Sequence, residues 1–233
     1  MIDVAPGGFC ADLWEGSRPI YQAILAHPFL SGLTDGSLAE TAFSFYVIQD
    51  VHYLRGYARA LSLVSAHAMR PAEIALFATH AAQAIEVERS LHEELLTALG
   101  IDPVRTEQTE SAPVTAAYVD HLIAACATGS YADGIAAVLP CYWIYAEVGQ
   151  RLAELGSPDP RYARWITTYG GEDFAAVVRS VIEVAESVGS RLGPVDRVRA
   201  AALYTQSARY EWLFWDAAYR QLHWPPFAAP DWR

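Results

Sequence analysis

The chain has 233 residues, long enough to bury a sizeable core; 53% are hydrophobic and only 18% charged. Its net charge of −11, with no cluster of Lys and Arg, argues against a nucleic-acid partner, because a phosphate-binding face needs such a cluster. No stretch is long and uncharged enough to cross a bilayer, so no membrane partner is expected.

Met1 to Glu15 has neither a basic start nor an apolar run and does not read as a secretory signal. The three cysteines, Cys10, Cys126 and Cys141, are odd in number and form no CxxC pair. A disulfide framework is therefore not expected, and a reducing cytoplasm is. So few charges on so apolar a chain point to a buried subunit interface. The 7 Trp, 13 Tyr and 8 Phe either fill a core or line a slot for a flat ring.

Helix signals dominate in chain order. Phe9 to His27 predicts a first helix, interrupted near Arg18-Pro19. Ser37-Leu38-Ala39-Glu40 reads as a capping box that opens a second, to about His67. Arg70-Pro71 starts a third, which Gly100 closes. Residues 101–110 read as a polar loop. Ser111-Ala112-Pro113 begins a fourth helix, ending at Gly129, and Ser130 with Asp133 caps the fifth. Asp159-Pro160 opens a short helix to about Thr168. Gly170-Gly171 breaks the chain before a helix to Val188. Gly193-Pro194 opens the last, to about His223. The tail from Pro225 to Arg233 is rich in proline and should be irregular. No strand, repeat or linker is evident, so the expected fold is all-α, a helical bundle forming a single domain over 1–233, with its core in about 9–222.

The fifth helix carries Leu139-Pro140-Cys141-Tyr142-Trp143-Ile144-Tyr145. Steps of 4, 3, 4, 3 and 4 link Gly134, Val138, Cys141, Tyr145, Val148 and Leu152, the seam of a packed helix. Cys141 and Tyr145 thus point the same way, inward. Pro140 deprives the Ala136 carbonyl of its donor, which should kink the helix and leave room for a pocket wall.

Polar residues stand in other seams too. The second helix gives Phe43, Val47, Asp50, Leu54, Tyr57 and Leu61, with Tyr53 beside Asp50. The last gives Ala200, Tyr204, Ser207, Glu211, Phe214 and Ala218. The third gives Ala78, Ala81, Ile85, Glu88, His92, Leu95 and Leu99. The fourth sets Tyr118 near Val114 and Leu122. Burying an ionised carboxylate costs several kcal/mol unless partners offset it. Inward acids on three helices, facing an inward thiol, point to a polar cavity inside the bundle.

Each residue has a plainer reading. Cys141 can be a small core residue. Asp50 can pair with Arg55 or Arg59, and Glu211 with Arg209 or Arg220, at the surface. Glu88 and His92 can be an exposed i,i+4 pair, and the tyrosines ordinary core aromatics. A two-metal site in a bundle wants two Glu-x-x-His motifs, which the chain lacks, and His-Glu-x-x-His is absent as well, so no metal is expected. Thiol attack, with carboxylates to hold and protonate a basic nitrogenous substrate, is the chemistry that remains.

The strings Val47-Ile48-Gln49-Asp50-Val51-His52-Tyr53-Leu54, Leu139-Pro140-Cys141-Tyr142-Trp143-Ile144-Tyr145 and Tyr210-Glu211-Trp212-Leu213-Phe214-Trp215 resemble, in order, those of the TenA-type thiaminase II family, also called aminopyrimidine aminohydrolases. The resemblance spans about residues 9 to 222. It implies a haem-oxygenase-like bundle, a homotetramer, and no haem, metal or other cofactor. It implies hydrolysis of 4-amino-5-aminomethyl-2-methylpyrimidine to the hydroxymethyl pyrimidine, with cleavage of thiamin as a further activity of many members. By match, Cys141 is the nucleophile, Asp50 binds the ring amino group and nitrogen, and Glu211 relays a proton to the leaving amine. Tyr53, Tyr118, Tyr145, Tyr169 and Phe214 line the pocket, and His92 falls where the family often places a histidine. Having Cys141 puts the chain in the cysteine branch rather than the branch that uses a glutamate pair. Two alternatives stay open: a non-catalytic pyrimidine-binding or regulatory protein, and a cofactorless oxidase resembling pyrroloquinoline-quinone synthase.

Overall fold

The structure, a computed structural model, describes residues 2, 4, 6–102, 106 and 108–226, apart from the side chains of 87–93. Among the described residues the elements are helices α1 (Phe9–Leu25), α2 (Pro28–Asp35), α3 (Glu40–His67), α4 (Pro71–Ala98), α5 (Pro113–Thr128), α6 (Tyr131–Ala153), α7 (Pro160–Gly170), α8 (Glu172–Gly189) and α9 (Pro194–Arg220). No strand occurs among them, so the all-α expectation is met.

Local chemistry sets the starts. Pro28, Pro71, Pro113, Pro160 and Pro194 each open a helix in its first turn, where a missing amide hydrogen costs nothing. Ser130 and Asp133 form the expected capping box on α6. The Asp159 side chain accepts from the Arg161 amide and caps α7.

Five readings along the chain need correction. The expected helix to His27 ends at Leu25, and a separate helix follows. His27 caps that second helix with its ring Nδ1, which accepts from the Phe29 amide at 3.1 Å. The backbone stays helical through Arg18-Pro19. The capping box at Ser37 does not form: Ala39 is the N-cap of α3 without a side-chain bond, and the Ser37 amide instead donates to Asp35. In the segment expected to be a loop, Thr106 and Gln108 are helical and the Thr106 amide donates to the Asp102 carbonyl at 3.1 Å; residues 103–105 and 107 lie outside the described set. The last helix ends at Arg220 rather than His223, and most of the expected irregular tail lies beyond the described residues.

Helix α6 is the centre of the bundle. It packs on α3, α5, α7, α8 and α9, and nearly every residue from Ala132 to Gly149 is buried. Its apolar residues therefore face the core all round, and burying each large one stabilises the fold by about 1.5–3 kcal/mol. The helix continues through Pro140. Close by, the Tyr57 hydroxyl donates to the Val138 carbonyl at 2.9 Å and ties α3 to α6. The seams read for α3 and α9 are buried throughout. The α4 seam is rotated: Glu73, Phe77, His80 and Ala81 are buried, whereas Ala78 and Ile85 are exposed.

Candidate active site

A cavity of about 480 Å³ opens among α3, α4, α6, α7 and α8. The 3.6-residue repeat of α3 brings Asp50, Tyr53 and Tyr57 to its wall, and that of α6 brings Cys141, Tyr142 and Tyr145. Thr168 and Tyr169 come from the end of α7. The backbones of α6 and α7 nearly touch here: a Cβ on Gly149 would lie 2.4 Å from the Tyr169 carbonyl carbon. Glycine at 149 thus sets how closely Tyr169 approaches the cavity.

Of the residues singled out in the sequence, Asp50, Tyr53, Cys141, Tyr145 and Tyr169 line this cavity. Tyr118, Phe214 and Glu211 are not on its wall and form a layer behind Tyr53. The Tyr118 ring lies 4.9 Å from that of Tyr53, and the Phe214 ring 5.6 Å. Tyr53, projecting from the middle of α3, stands between them and the open space. The side chains of Glu88 and His92 lie outside the described residues.

Glu211 is 1% exposed, and the Tyr118 hydroxyl donates to its Oε1 at 2.5 Å. The surface-pair reading of Glu211 is thereby excluded; Arg220 bonds Asp216 instead, at 2.8 Å. Burial pushes the Glu211 carboxyl up to about 8, the Asp50 charge adds to the rise, and the Tyr118 bond opposes it. Glu211 is therefore mostly protonated at neutral pH, a neutral acid in a dry site.

The Cys141 thiol is pushed well above its ordinary range, first by burial and next by Glu211, with a smaller push from Asp50. Hydroxyls of Tyr53 and Tyr57 beside the sulfur act the other way. The sulfur thus carries its proton at neutral pH and shares one electrostatic environment with both acids. The Tyr53 hydroxyl is buried and, among the described residues, has no partner in hydrogen-bonding geometry. A sulfur, two carboxyl groups and an unsatisfied donor beside a ring-lined cavity suit a flat heterocycle that offers both N–H donors and lone pairs.

Sequence reasoning missed His80. It lines the cavity and its Nδ1 lies 3.0 Å from the Tyr142 hydroxyl; burial lowers its pKa, so the ring is neutral. The signal was present, since His80 follows Phe77 by three residues on one face of α4. Asp173 and Phe174 of α8 also reach the wall. They follow Tyr169 across the Gly170-Gly171 break, a nearness along the chain that could have marked them.

The sequence model of the TENA/THI-4/PQQC family matches residues 14–221. The chain is 41% identical over 94% of its length to the thiamine biosynthesis multifunctional protein ThiED of Corynebacterium efficiens, but spans only 29% of that longer protein. It is 33% identical to an aminopyrimidine aminohydrolase of Bacillus subtilis, over 95% of this chain and 91% of the relative. A TenA homologue from P. horikoshii OT3 shares the fold with a TM-score of 0.85 at 29% identity, covering 91% of this chain and 99% of that one. A domain from Shewanella denitrificans described as having a heme oxygenase-like fold gives a TM-score of 0.72 at 16% identity, over 95% and 94% of the two chains, which speaks to the fold alone. With that match spanning nearly all of a bundle of haem-oxygenase-like type, the chain belongs to the TENA/THI-4/PQQC family.

Proposed function

We propose that this protein is an aminopyrimidine aminohydrolase of thiamin salvage. It hydrolyses 4-amino-5-aminomethyl-2-methylpyrimidine to the hydroxymethyl pyrimidine and ammonia. The observation that carries the reading is a partly accessible thiol, Cys141, on the wall of the cavity that also holds Asp50, with a neutral Glu211 behind. The Bacillus subtilis relative named for this activity, alike over nearly the whole chain, supports it. Thiamin, which carries the same pyrimidine, is a second candidate substrate.

The proposed chemistry is addition–elimination. The Asp50 carboxylate accepts an N–H bond from the amino group and stands beside the ring nitrogen, which begins without a proton. Sulfur adds to a ring carbon while the thiol proton passes by way of Asp50 to the ring nitrogen, which avoids a free thiolate. The exocyclic amine then leaves with the Glu211 proton. Water adds to the exocyclic carbon and returns a proton to Glu211. Loss of the sulfur, which takes back its own proton, restores the aromatic ring. The tyrosine wall holds the ring flat, so the attacking geometry is set before reaction.

The same proposal extends to the wider setting. The chain forms a single domain, acts in the cytoplasm, and assembles as a homotetramer. Free Cys10, Cys126 and Cys141 suit a reducing compartment. Met69, Val195 and Val198 are exposed apolar side chains of the kind a subunit contact would cover. Among the described residues no helix is long and apolar enough to cross a membrane. The test is incubation with the aminomethyl pyrimidine. Ammonia and the alcohol in equal amounts are expected; neither product would overturn the reading.

A further inference from the structure

We infer that His27 is an acid-sensing element: when its ring takes up a proton it releases the start of α2, loosens the rings packed behind the cavity and weakens ligand binding there. This goes beyond the proposed reaction and concerns what regulates the site.

The switch turns on one amide. Pro28 opens α2 and has no N–H to satisfy. The amides of Leu30 and Ser31 both reach the His27 carbonyl, at 3.0 and 3.3 Å. That leaves the Phe29 amide, which donates to His27 Nδ1 at 3.1 Å. An imidazole nitrogen that accepts carries no proton, so the one proton of the neutral ring sits on Nε2. Nε2 lies 3.4 Å from Asp216 Oδ1, the acceptor it needs. Both ring nitrogens are thus engaged, and their partners fix the tautomer.

A second proton can go only to Nδ1. There it would meet the Phe29 N–H, and the cap would be lost. Asp216 favours the doubly protonated ring, but the same oxygen already accepts from Arg220 Nε at the shorter distance of 2.8 Å. Among the described residues the charges that act on the ring are Asp216 and Arg220, both of α9, and no other element brings one. Trp212 and Tyr219 of α9 meet the ring edge-on, at 5.6 and 5.7 Å. Burial holds the ring's affinity for that proton below the ordinary histidine value, with Asp216 opposing and Arg220 assisting. The cap is therefore complete at neutral pH, and its contribution is lost as pH falls below the ordinary histidine range. An Asn, Ser or Thr in this place would cap α2 without such a response.

Phe29 carries the change inward. Its side chain is fully buried, and its ring lies 5.5 Å from that of Tyr46 and 5.3 Å from that of Trp215. Trp215 in turn lies 5.3 Å from Tyr145, a residue of the cavity wall. Two ring contacts join the cap to the cavity wall, so a frayed α2 leaves Tyr145 less firmly backed.

NMR reads the switch without a ligand. In wild type at neutral pH the His27 nitrogens should show the Nε2–H tautomer. The protection factor of the Phe29 amide should fall about three- to tenfold once the ring has titrated. An Nδ1–H tautomer, or unchanged protection, overturns the inference. Calorimetry with 4-amino-5-hydroxymethyl-2-methylpyrimidine supplies the second readout, from about pH 7.5 to about pH 5. His27→Asn keeps a cap that does not titrate, and the ligand and Asp50 titrate in both proteins. Wild-type affinity should therefore fall about three- to tenfold more than that of His27→Asn. His27→Ala, which has no cap, should bind more weakly than His27→Asn already at neutral pH. Equal pH dependence in wild type and His27→Asn overturns the inference. Should the variants not fold, the wild-type NMR result decides alone. If wild type binds no pyrimidine at any pH while the tautomer and the Phe29 protection behave as stated, the acid release of α2 stands and the proposed function is what falls.

Discussion

The Tyr118 hydroxyl and the Glu211 carboxyl form a 2.5 Å hydrogen bond within a layer that has almost no solvent contact. This pair links α5 to α9 directly behind the cavity wall. Burial and the Asp50 charge hold the proton on Glu211 up to about pH 8. The first prediction follows. If Glu211 supplies the leaving group's proton, kcat should fall as pH rises through about 8. Glu211→Gln should abolish that limb and lower kcat by about 10²–10⁴. Tyr118→Phe removes a bond that favours the ionised form, so the limb should move to higher pH. A limb that does not respond to either change would remove Glu211 from proton transfer.

The same group has a stability signature. Its carboxyl pKa is raised in the folded state relative to the unfolded chain. The stability it contributes is full below the ordinary carboxylate range and is lost as pH rises through about 8. Melting temperature should therefore decline over that window in wild type, and Glu211→Gln should flatten the decline. Equal slopes in the two proteins would contradict the assignment.

Asp50 should matter for binding as well as rate. Asp50→Asn keeps the shape but replaces an acceptor with a partial donor. Binding of the aminopyrimidine should weaken by about ten- to a hundredfold, as expected for a lost bond to a charged group. Titration with the product pyrimidine measures it. An unchanged kcat/KM would take Asp50 out of the site.

Gly149 should couple stability to the site. An alanine there meets the Tyr169 carbonyl at 2.5 Å, so α6 and α7 must separate. Gly149→Ala should cost about 1–3 kcal/mol of stability and weaken ligand binding, because Tyr169 moves with α7. Gly16→Ala is the control: its Cβ meets nothing within 4 Å, and alanine in a helix interior should stabilise by up to about 1 kcal/mol. Thermal melts and ligand titrations on both variants decide it.

The seams of α3 and α9 were legible in the sequence because one face of each is buried along its whole length, so periodicity alone placed Asp50 and Glu211 inside. The α6 seam was less informative than it looked, since that helix is buried on nearly every side. Helix α2 was illegible: its cap is the His27 imidazole, not a Ser, Thr, Asp or Asn, so no start signal of the usual kind precedes it. Along α4 the alanine-rich repeat Ala78, Ala81, Ala84 fits more than one helical face, which rotated the seam and hid His80. That Tyr53 screens Tyr118 and Phe214 from the cavity is a matter of tertiary depth, which one-dimensional spacing does not carry.

Cysteine accessibility gives a further prediction. Cys10 and Cys126 are 0% exposed, whereas Cys141 is partly open to the cavity. Iodoacetamide should modify Cys141 alone on the native protein. The reaction should be slow at neutral pH, because the thiol is pushed up, and product pyrimidine should protect it. Peptide mapping reads the site; modification of Cys10 or Cys126 at a comparable rate would contradict the burial described.

The central claim is covalent attack by Cys141 inside this cavity, and turnover of the aminomethyl pyrimidine by Cys141→Ser tests it most directly. The variant should still bind the pyrimidine and should lose about 10³-fold or more in kcat. Hydrolysis at a rate near wild type would show that the sulfur takes no part.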